Sequence, residues 1–189
     1  GFVAKELLAD RGDMLVIAGL GAPAWDVTAV GDSPLNFPLW GAMGGALAMG
    51  LGLALAQPKR RVLILTGDGE ILMGLGSLAT IGVQQPKNLA VVVLDNEHYG
   101  ETGMQRTHTS WGVDIAKAAL ACGFADASIV STKSEVAKMC AAVRKGAGPM
   151  LFQVKVVDVK SAFVLPPRDG AHLKHRFREA LLGAREAHR

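Results

Sequence analysis

The sequence predicts an α/β domain of three layers, with helices on both faces of a mostly parallel sheet. Three observations carry that prediction. Residues 62–66 and 89–94 are short, β-rich apolar runs of the kind a buried parallel strand shows. The segment between them has helical spacing, with Ile71, Leu72, Leu75, Leu78 and Ile81 able to share one face before Pro86 ends it. Both apolar runs stop abruptly at polar turns, Gly67-Asp68-Gly69 and Asp95-Asn96. A right-handed crossover brings both strand ends to one edge of the sheet, where such folds bind ligands. One carboxylate, one amide oxygen and a nearby backbone carbonyl make a half-open oxygen site. Magnesium suits it, because it keeps waters and takes further ligands from phosphates. Helical N–H groups just after Gly69 add a place for a phosphate.

Taken in order, residues 2–11 read as an amphipathic segment and 14–18 as the first strand. That strand ends in Gly19-Leu20-Gly21-Ala22-Pro23-Ala24, which matches a dinucleotide-binding pattern. The pattern needs an acidic residue about 20 positions on. Asp32 comes too early and nothing acidic lies between it and Asp68, so the loop is expected in a supporting role at a strand end. Residues 34–58 carry no charge. Pro34, Asn36 and Pro38 interrupt the first part, and the helix-like remainder, 42–57, is shorter than the ~20 residues a spanning helix needs. Small residues recur four apart there (Gly41/Gly45, Ala46/Gly50, Ala48/Gly52), as in a helix pressed between a sheet and a partner subunit. Residues 70–85 are expected as one helix. Further on, 112–122 and 134–145 read as helices, and 128–131 and 150–157 as strands. Pro166-Pro167 reads as a linker, and 171–188 as a basic amphipathic helix.

Composition sets the outer bounds. A chain of 189 residues suits one α/β domain, here 1–165, with 166–189 as a linker and helix packed on it. Half the residues are hydrophobic but only 5% aromatic, so the core is expected from Ala, Val, Leu, Ile and Met. A net charge of +3 without a dense basic run before the last helix speaks against nucleic acid. Cys122 and Cys140 are too few and too far apart for a disulfide framework, a zinc site or an iron–sulfur cluster. With no visible signal peptide, a cytoplasmic location is expected, and no membrane span.

The pairing of Gly67-Asp68-Gly69 with Asn96, after 26 intervening residues, resembles the metal and diphosphate motif of thiamine-diphosphate enzymes. The wording GDGEILMGLGSLATIG and LDNEHYGETGMQ is most similar to sulfopyruvate decarboxylase β subunits and phosphonopyruvate decarboxylases. The resemblance runs from about Met14 to Val157 and implies the pyrophosphate-binding (PP) fold. It implies Asp68, Asn96 and the His98 carbonyl as magnesium ligands. Gly67, Gly69, Glu70, Tyr99, Gly100 and Glu101 would line the diphosphate, mostly through backbone groups. Glu70 carries a negative charge where many relatives have a small hydroxyl residue, so it is expected to offer its N–H and turn its side chain away. In Leu39-Trp40-Gly41-Ala42-Met43-Gly44, the Gly41 carbonyl takes the aminopyrimidine amine and Met43 is the wedge that bends the cofactor. Met43 alone would read as a core methionine; its 25-position step to Asp68 favours the wedge.

His98, in a polar glycine-bearing loop, is the expected proton donor or substrate contact, with His108 a second candidate. Arg106 is the cation at hand for an anionic substrate tail. The glutamate that activates the cofactor in this family lies on a separate pyrimidine-binding (PYR) domain, and no glutamate here has that context. The resemblance thus implies an α subunit supplying it, in a self-associating hetero-oligomer with two copies of each chain. The implied reaction is Mg- and thiamine-diphosphate-dependent, non-oxidative decarboxylation of a small 2-oxo acid. A carboligase of the acetolactate synthase type, a 2-oxo acid:ferredoxin oxidoreductase subunit and a non-catalytic cofactor-binding subunit remain open.

Overall fold

The computed structural model describes residues 1–157 and 163–188. Six parallel strands form one sheet: β1 (Leu15–Ala18), β2 (Asn36–Pro38), β3 (Val62–Gly67), β4 (Leu89–Asp95), β7 (Asp126–Val130) and β8 (Met150–Lys155). Their order is β2-β1-β3-β4-β8-β7. A two-stranded antiparallel hairpin, β5 (His98–Tyr99) and β6 (Gln105–Arg106), stands apart from that sheet.

The strands alternate in the faces they bury, as the pleat requires. Val16, Leu63, Leu65, Val92 and Val154 meet α1 (Phe2–Leu8), α2 (Ala22–Val30) and α7 (Lys133–Lys145) on one face. Ile17, Ile64, Val91, Val93 and Leu151 meet the other helices on the opposite face: α3 (Ala46–Ala56), α4 (Asp68–Met73), α5 (Ser77–Gln84), α6 (Ile115–Ala121) and α8 (Gly170–Leu182). The expected three-layer α/β/α architecture is thus the one observed. A short α9 (Ala184–Ala187) follows α8. Phe177 of α8 is buried and meets Phe37 of β2 edge-on, with ring centroids 5.4 Å apart, which fastens α8 to the sheet's edge. Among the described residues no helix is long and apolar enough to cross a membrane.

Several elements depart from the sequence expectation. Residues 70–85 form two helices, because the chain breaks at Gly74: a Cβ there would collide with the Gly44 carbonyl. The helix after residue 42 begins only at Ala46, since Ala42 (φ 55°) and Gly44 (φ 91°) take left-handed conformations in a turn. The expected 171–188 helix divides at Gly183 (φ 77°). The edge strand β2 and helix α2 were not expected.

Strand order decides where a ligand can bind. From β1 the chain first moves outward to β2, then returns to the other side of β1 for β3. The connections therefore reverse between β1 and β3, and α2 and α4 leave on opposite faces. Open α/β sheets hold ligands in the crevice that such a reversal leaves beyond the carboxyl ends of the strands.

Candidate functional site

Gly67 ends β3 with Asp68 as the first residue of α4, directly at that crevice. Asp68 is 2% exposed. Its Oδ2 accepts from the Thr107 hydroxyl at 2.5 Å and lies 3.3 Å from the Thr109 hydroxyl. Thr109 donates at 2.8 Å to Oδ1 of Asp95, the last residue of β4. Gln153 and Lys155, neighbours on β8, donate to Asp95 Oδ2 at 2.6 and 2.8 Å. Two buried carboxylates are thus bridged by threonine hydroxyls, and one of them has a cation. Burial pushes the Asp68 carboxyl up from its ordinary range and the Asp95 charge adds to this, against the hydrogen bonds from Thr107 and Thr109. Burial acts upward on Asp95 too, but its bonds from Lys155, Gln153 and Thr109 together hold it below the usual range.

Asn96 follows at the strand end, half-buried. Its Oδ1 accepts from the His98 N–H at 3.1 Å, while His98 Nδ1 donates to the Asn96 carbonyl at 2.8 Å. Between them Glu97 sits at φ 65°, strained for a residue with a side chain. Lys155 reaches Glu97 Oε1 at 2.7 Å, so the lysine that neutralises Asp95 also pins this kink. The Tyr99 ring then folds over Gly69, where a Cβ would come within 2.5 Å of a ring carbon. Met43 arrives from the turn after β2, its Cε 3.6 Å from that same Cβ position. Gly69, Tyr99 and Met43 are therefore neighbours, although 56 positions separate Met43 from Tyr99. Glu101, exposed beyond Gly100, carries its carboxylate across the crevice to Gly21 at the start of α2.

The sequence-derived residues fall into two groups. Asp68, Gly69, Asn96, His98, Tyr99 and Met43 converge around the end of β3, while exposed Gly41 and Gly100 sit on the turns that frame them. Glu70 is a case apart. Its side chain is 3% exposed and runs into the protein, accepting from the Thr66 hydroxyl and, at 3.2 Å, from the Ala46 N–H. His108 is exposed, between the two threonines that turn inward. Arg106 lies on the hairpin over the Trp111 ring, 5.6 Å from its centroid.

Sequence reasoning missed Thr107, Thr109, Gln153 and Lys155. Alternation in Thr107-His108-Thr109 was the available signal, but nothing local says what the hydroxyls face. It also missed a cavity of about 460 Å³ beside the crevice, lined by Gly21, Trp40, Glu101, Phe163 and Arg168 among others. There Trp40 Nε1 donates to the Pro167 carbonyl at 2.7 Å, and the Arg168 guanidinium lies 5.7 Å from the Trp40 ring centroid.

Chemically, Asp68 is a buried carboxylate with neutral hydrogen-bond donors and no cationic partner among the described residues. Such a group favours a bound cation, which would remove the cost of its buried charge. Asn96 Oδ1 keeps acceptor capacity alongside the His98 N–H. Gly69, without a side chain, lets the Tyr99 ring and Met43 close over the backbone next to Asp68. The donor set therefore fits a hard divalent cation carrying an anionic ligand.

Comparisons with known proteins agree with this geometry. Residues 22–154 match the family described as thiamine pyrophosphate enzyme, C-terminal TPP binding domain. The sulfopyruvate decarboxylase β subunit of Methanocaldococcus jannaschii is 40% identical over 122 residues, covering 64% of each chain. That of Methanothermobacter thermautotrophicus is 47% identical over 112 residues, 59% of this chain and 60% of the relative. Phosphonopyruvate decarboxylase of Streptomyces viridochromogenes is 37% identical over 153 residues, 80% of this chain but 38% of the relative. The chain thus spans less than two thirds of the length of these curated relatives. Among solved structures, benzoylformate decarboxylase from Polynucleobacter necessarius superposes with a TM-score of 0.68 at 22% identity, covering 84% of this chain and 33% of that one, which is a likeness of fold. With 22–154 matched, the chain belongs to the thiamine pyrophosphate enzyme family, as a C-terminal TPP-binding domain.

Proposed function

We propose that this chain is the β component of a thiamine-diphosphate- and Mg²⁺-dependent 2-oxo acid decarboxylase, acting on sulfopyruvate or phosphonopyruvate. The observation that carries the proposal is Asp68: a buried carboxylate, without a cation among the described residues, at the point where strand order reverses. Asp68 and Asn96 side-chain oxygens and the His98 carbonyl would hold Mg²⁺. Backbone groups of Gly67, Gly69, Glu70, Tyr99, Gly100 and Glu101 would hold the diphosphate. The Gly41 carbonyl would receive the aminopyrimidine amine, and Met43, beside Gly69, would keep the cofactor bent. Bound thiamine diphosphate supplies the carbon nucleophile and the electron sink for loss of CO₂.

The protein's part is to orient and to exclude water. Residues 1–165 would act as the PP domain with 166–189 packed on it. His98, half-buried, would contact substrate or deliver a proton. Among the described residues, Arg106 and Arg168 would be cations available to a sulfonate or phosphonate tail. The activating glutamate would come from a PYR-domain α subunit, since Glu70 is committed to Thr66 and Ala46. Exposed apolar side chains on the α3–α5 face, Met49, Leu55, Met73 and Val83, support burial against partner chains, in an assembly with two copies of each subunit. Free Cys122 and Cys140 suit the reducing cytoplasm.

The test is CO₂ release from sulfopyruvate, phosphonopyruvate and pyruvate by the assembled complex, with and without Mg-thiamine diphosphate. Cofactor-dependent release, lost in Asp68→Ala, is the expected result and names the substrate. A hydroxyketone product would replace decarboxylation by carboligation, and reduced ferredoxin would replace it by oxidation. Cofactor binding without turnover would make the chain a non-catalytic subunit.

A further inference from the structure

We propose that Glu70 is a positioning residue that fixes the spacing between the metal corner at Asp68 and the turn carrying Gly41 and Met43. The inference rests on reading this edge as the cofactor site, and it gives the Glu70 side chain a task separate from the backbone N–H that would meet the diphosphate. Glu70 lies two residues after Asp68 on the short helix α4, with its carboxylate pointing inward. One oxygen accepts from Thr66, the penultimate residue of β3. The other accepts from the N–H of Ala46, the first residue of α3. Gly45, the N-cap of α3, provides no side-chain cap, so the carboxylate of Glu70 does that work from another helix.

Helix α3 follows directly on the turn that holds Gly41 and Met43, with Ala42 and Gly44 both in left-handed conformations. The same turn is gripped at the far end of α4. Gly74 packs its backbone against the Gly44 carbonyl so closely that a Cβ at Gly74 would collide with it. A Cβ at Gly44 would lie 3.1 Å from the Gly74 nitrogen. Both ends of one six-residue helix thus clasp the turn. On the opposite side, the Glu70 carboxylate occupies the space where a Cβ on Gly19 of the β1 loop would lie. Three elements therefore converge on one buried carboxylate that has neutral donors and no cation among the described residues.

Burying a carboxylate in this way is unfavourable beside an apolar side chain of the same volume. What the carboxylate supplies is geometry: Asp68 and the Gly41–Met43 turn, which would hold the diphosphate end and the pyrimidine end of one cofactor, are referred to a single point. Their separation then depends on hydrogen bonding at Glu70 and not on its charge.

The test uses the assembled complex with Glu70→Gln and Glu70→Met. Thiamine diphosphate affinity is read from quenching of tryptophan fluorescence, with Trp40 adjoining the turn. Cofactor geometry is read from its near-ultraviolet circular dichroism, and turnover is measured at saturating cofactor. Glutamine can accept from Ala46 and donate to the Thr66 hydroxyl, so Glu70→Gln keeps the dichroism band and loses far less turnover than Glu70→Met. Glu70→Met alters the band and lowers turnover about tenfold to hundredfold, as expected for reacting groups displaced by up to an ångström. The proposal is overturned if Glu70→Met keeps the wild-type band and turnover, or if Glu70→Gln loses as much as Glu70→Met.

Should Glu70→Met fail to fold, Gly19→Ala presses on the same carboxylate from the other side. It should weaken cofactor binding about tenfold in the wild-type background and clearly less in Glu70→Ala, where the Thr66 hydroxyl is left as the one close neighbour of the added methyl. Equal effects of Gly19→Ala in both backgrounds would also overturn it. A wild-type complex that binds cofactor but releases no CO₂ would refute the decarboxylase reading, while affinity and dichroism still decide the role of Glu70.

Discussion

The two edges of the sheet solve the same problem in opposite ways. At the amino edge, backbone carbonyls are met by arginines. Arg61 donates to Gly146 and Ala142 at the end of α7, Arg144 to Glu6 and Ala9 at the end of α1, and Arg11 to Met14. At the carboxyl edge, buried acids accumulate: Asp68, Glu70 and Asp95 are each 3% exposed or less. Lys155 is the cation paired with these three among the described residues, and it serves Asp95. At the amino edge the arginines find their partners within the chain's own backbone. The carboxyl edge keeps charge in reserve, held by hydroxyls and N–H groups, and such an edge is completed by a cationic ligand. The difference separates residues that stabilise the fold from residues that prepare a site.

Lys155→Met leaves Asp95 buried and unpaired and frees the Glu97 kink. Removing one partner of a buried pair costs about 3–5 kcal/mol, and because Lys155 is itself a third exposed the loss should be about 3 kcal/mol in urea unfolding. A loss below about 1 kcal/mol, the range of exposed pairs, would show that Asp95 does not depend on its lysine.

A smaller effect is expected at the opposite edge. Arg61→Met deletes charged donors to the end of α7 and should cost about 2 kcal/mol. Cofactor affinity should stay as in wild type. Weakened affinity would mean that the two edges are not independent.

The smallest effect lies on the carboxyl edge, away from the crevice. Glu135 closes a capping box with Thr132 at the start of α7, and N–H bonds from Ser131 and Thr132 hold its carboxyl below the ordinary value. A depressed carboxyl contributes stability that is present above its unfolded pKa and lost as pH falls through the folded one. The stability difference between wild type and Glu135→Ala should therefore persist at neutral pH and narrow below about pH 4. A difference constant down to pH 2 would assign the effect to helix propensity instead.

What the sequence disclosed, and what it hid, follows from how local each feature is. β3, α4 and β4 were legible because apolar runs stop at Gly67-Asp68-Gly69 and Asp95-Asn96, turns that carry their own chemistry. The parallel sheet followed from crossover handedness. The break between α4 and α5 was not legible, because Gly74 is required by Gly44, 30 positions earlier, and not by its neighbours. Strand β2 was hidden by its length and by Pro38, which an edge strand tolerates. In the site, Asp68 and Asn96 could be named from their turns. The hydroxyls on Asp68 come from 39 and 41 residues away, and the inward course of Glu70 depends on the amino end of α3, 24 positions earlier. Turn chemistry is written locally; the groups that hold a carboxylate in place come from the tertiary fold.

The carboxyl edge as a metal and diphosphate site is tested most directly by calorimetric titration of thiamine diphosphate into the assembled complex, with and without Mg²⁺. Binding by wild type should require Mg²⁺. Asp68→Asn, which keeps the shape and removes the charge, should weaken binding at least about a hundredfold while the complex stays folded, as expected when a charged ligand to a buried cation is lost. Wild-type affinity in Asp68→Asn, or equal binding without the metal, would contradict the assignment of this edge.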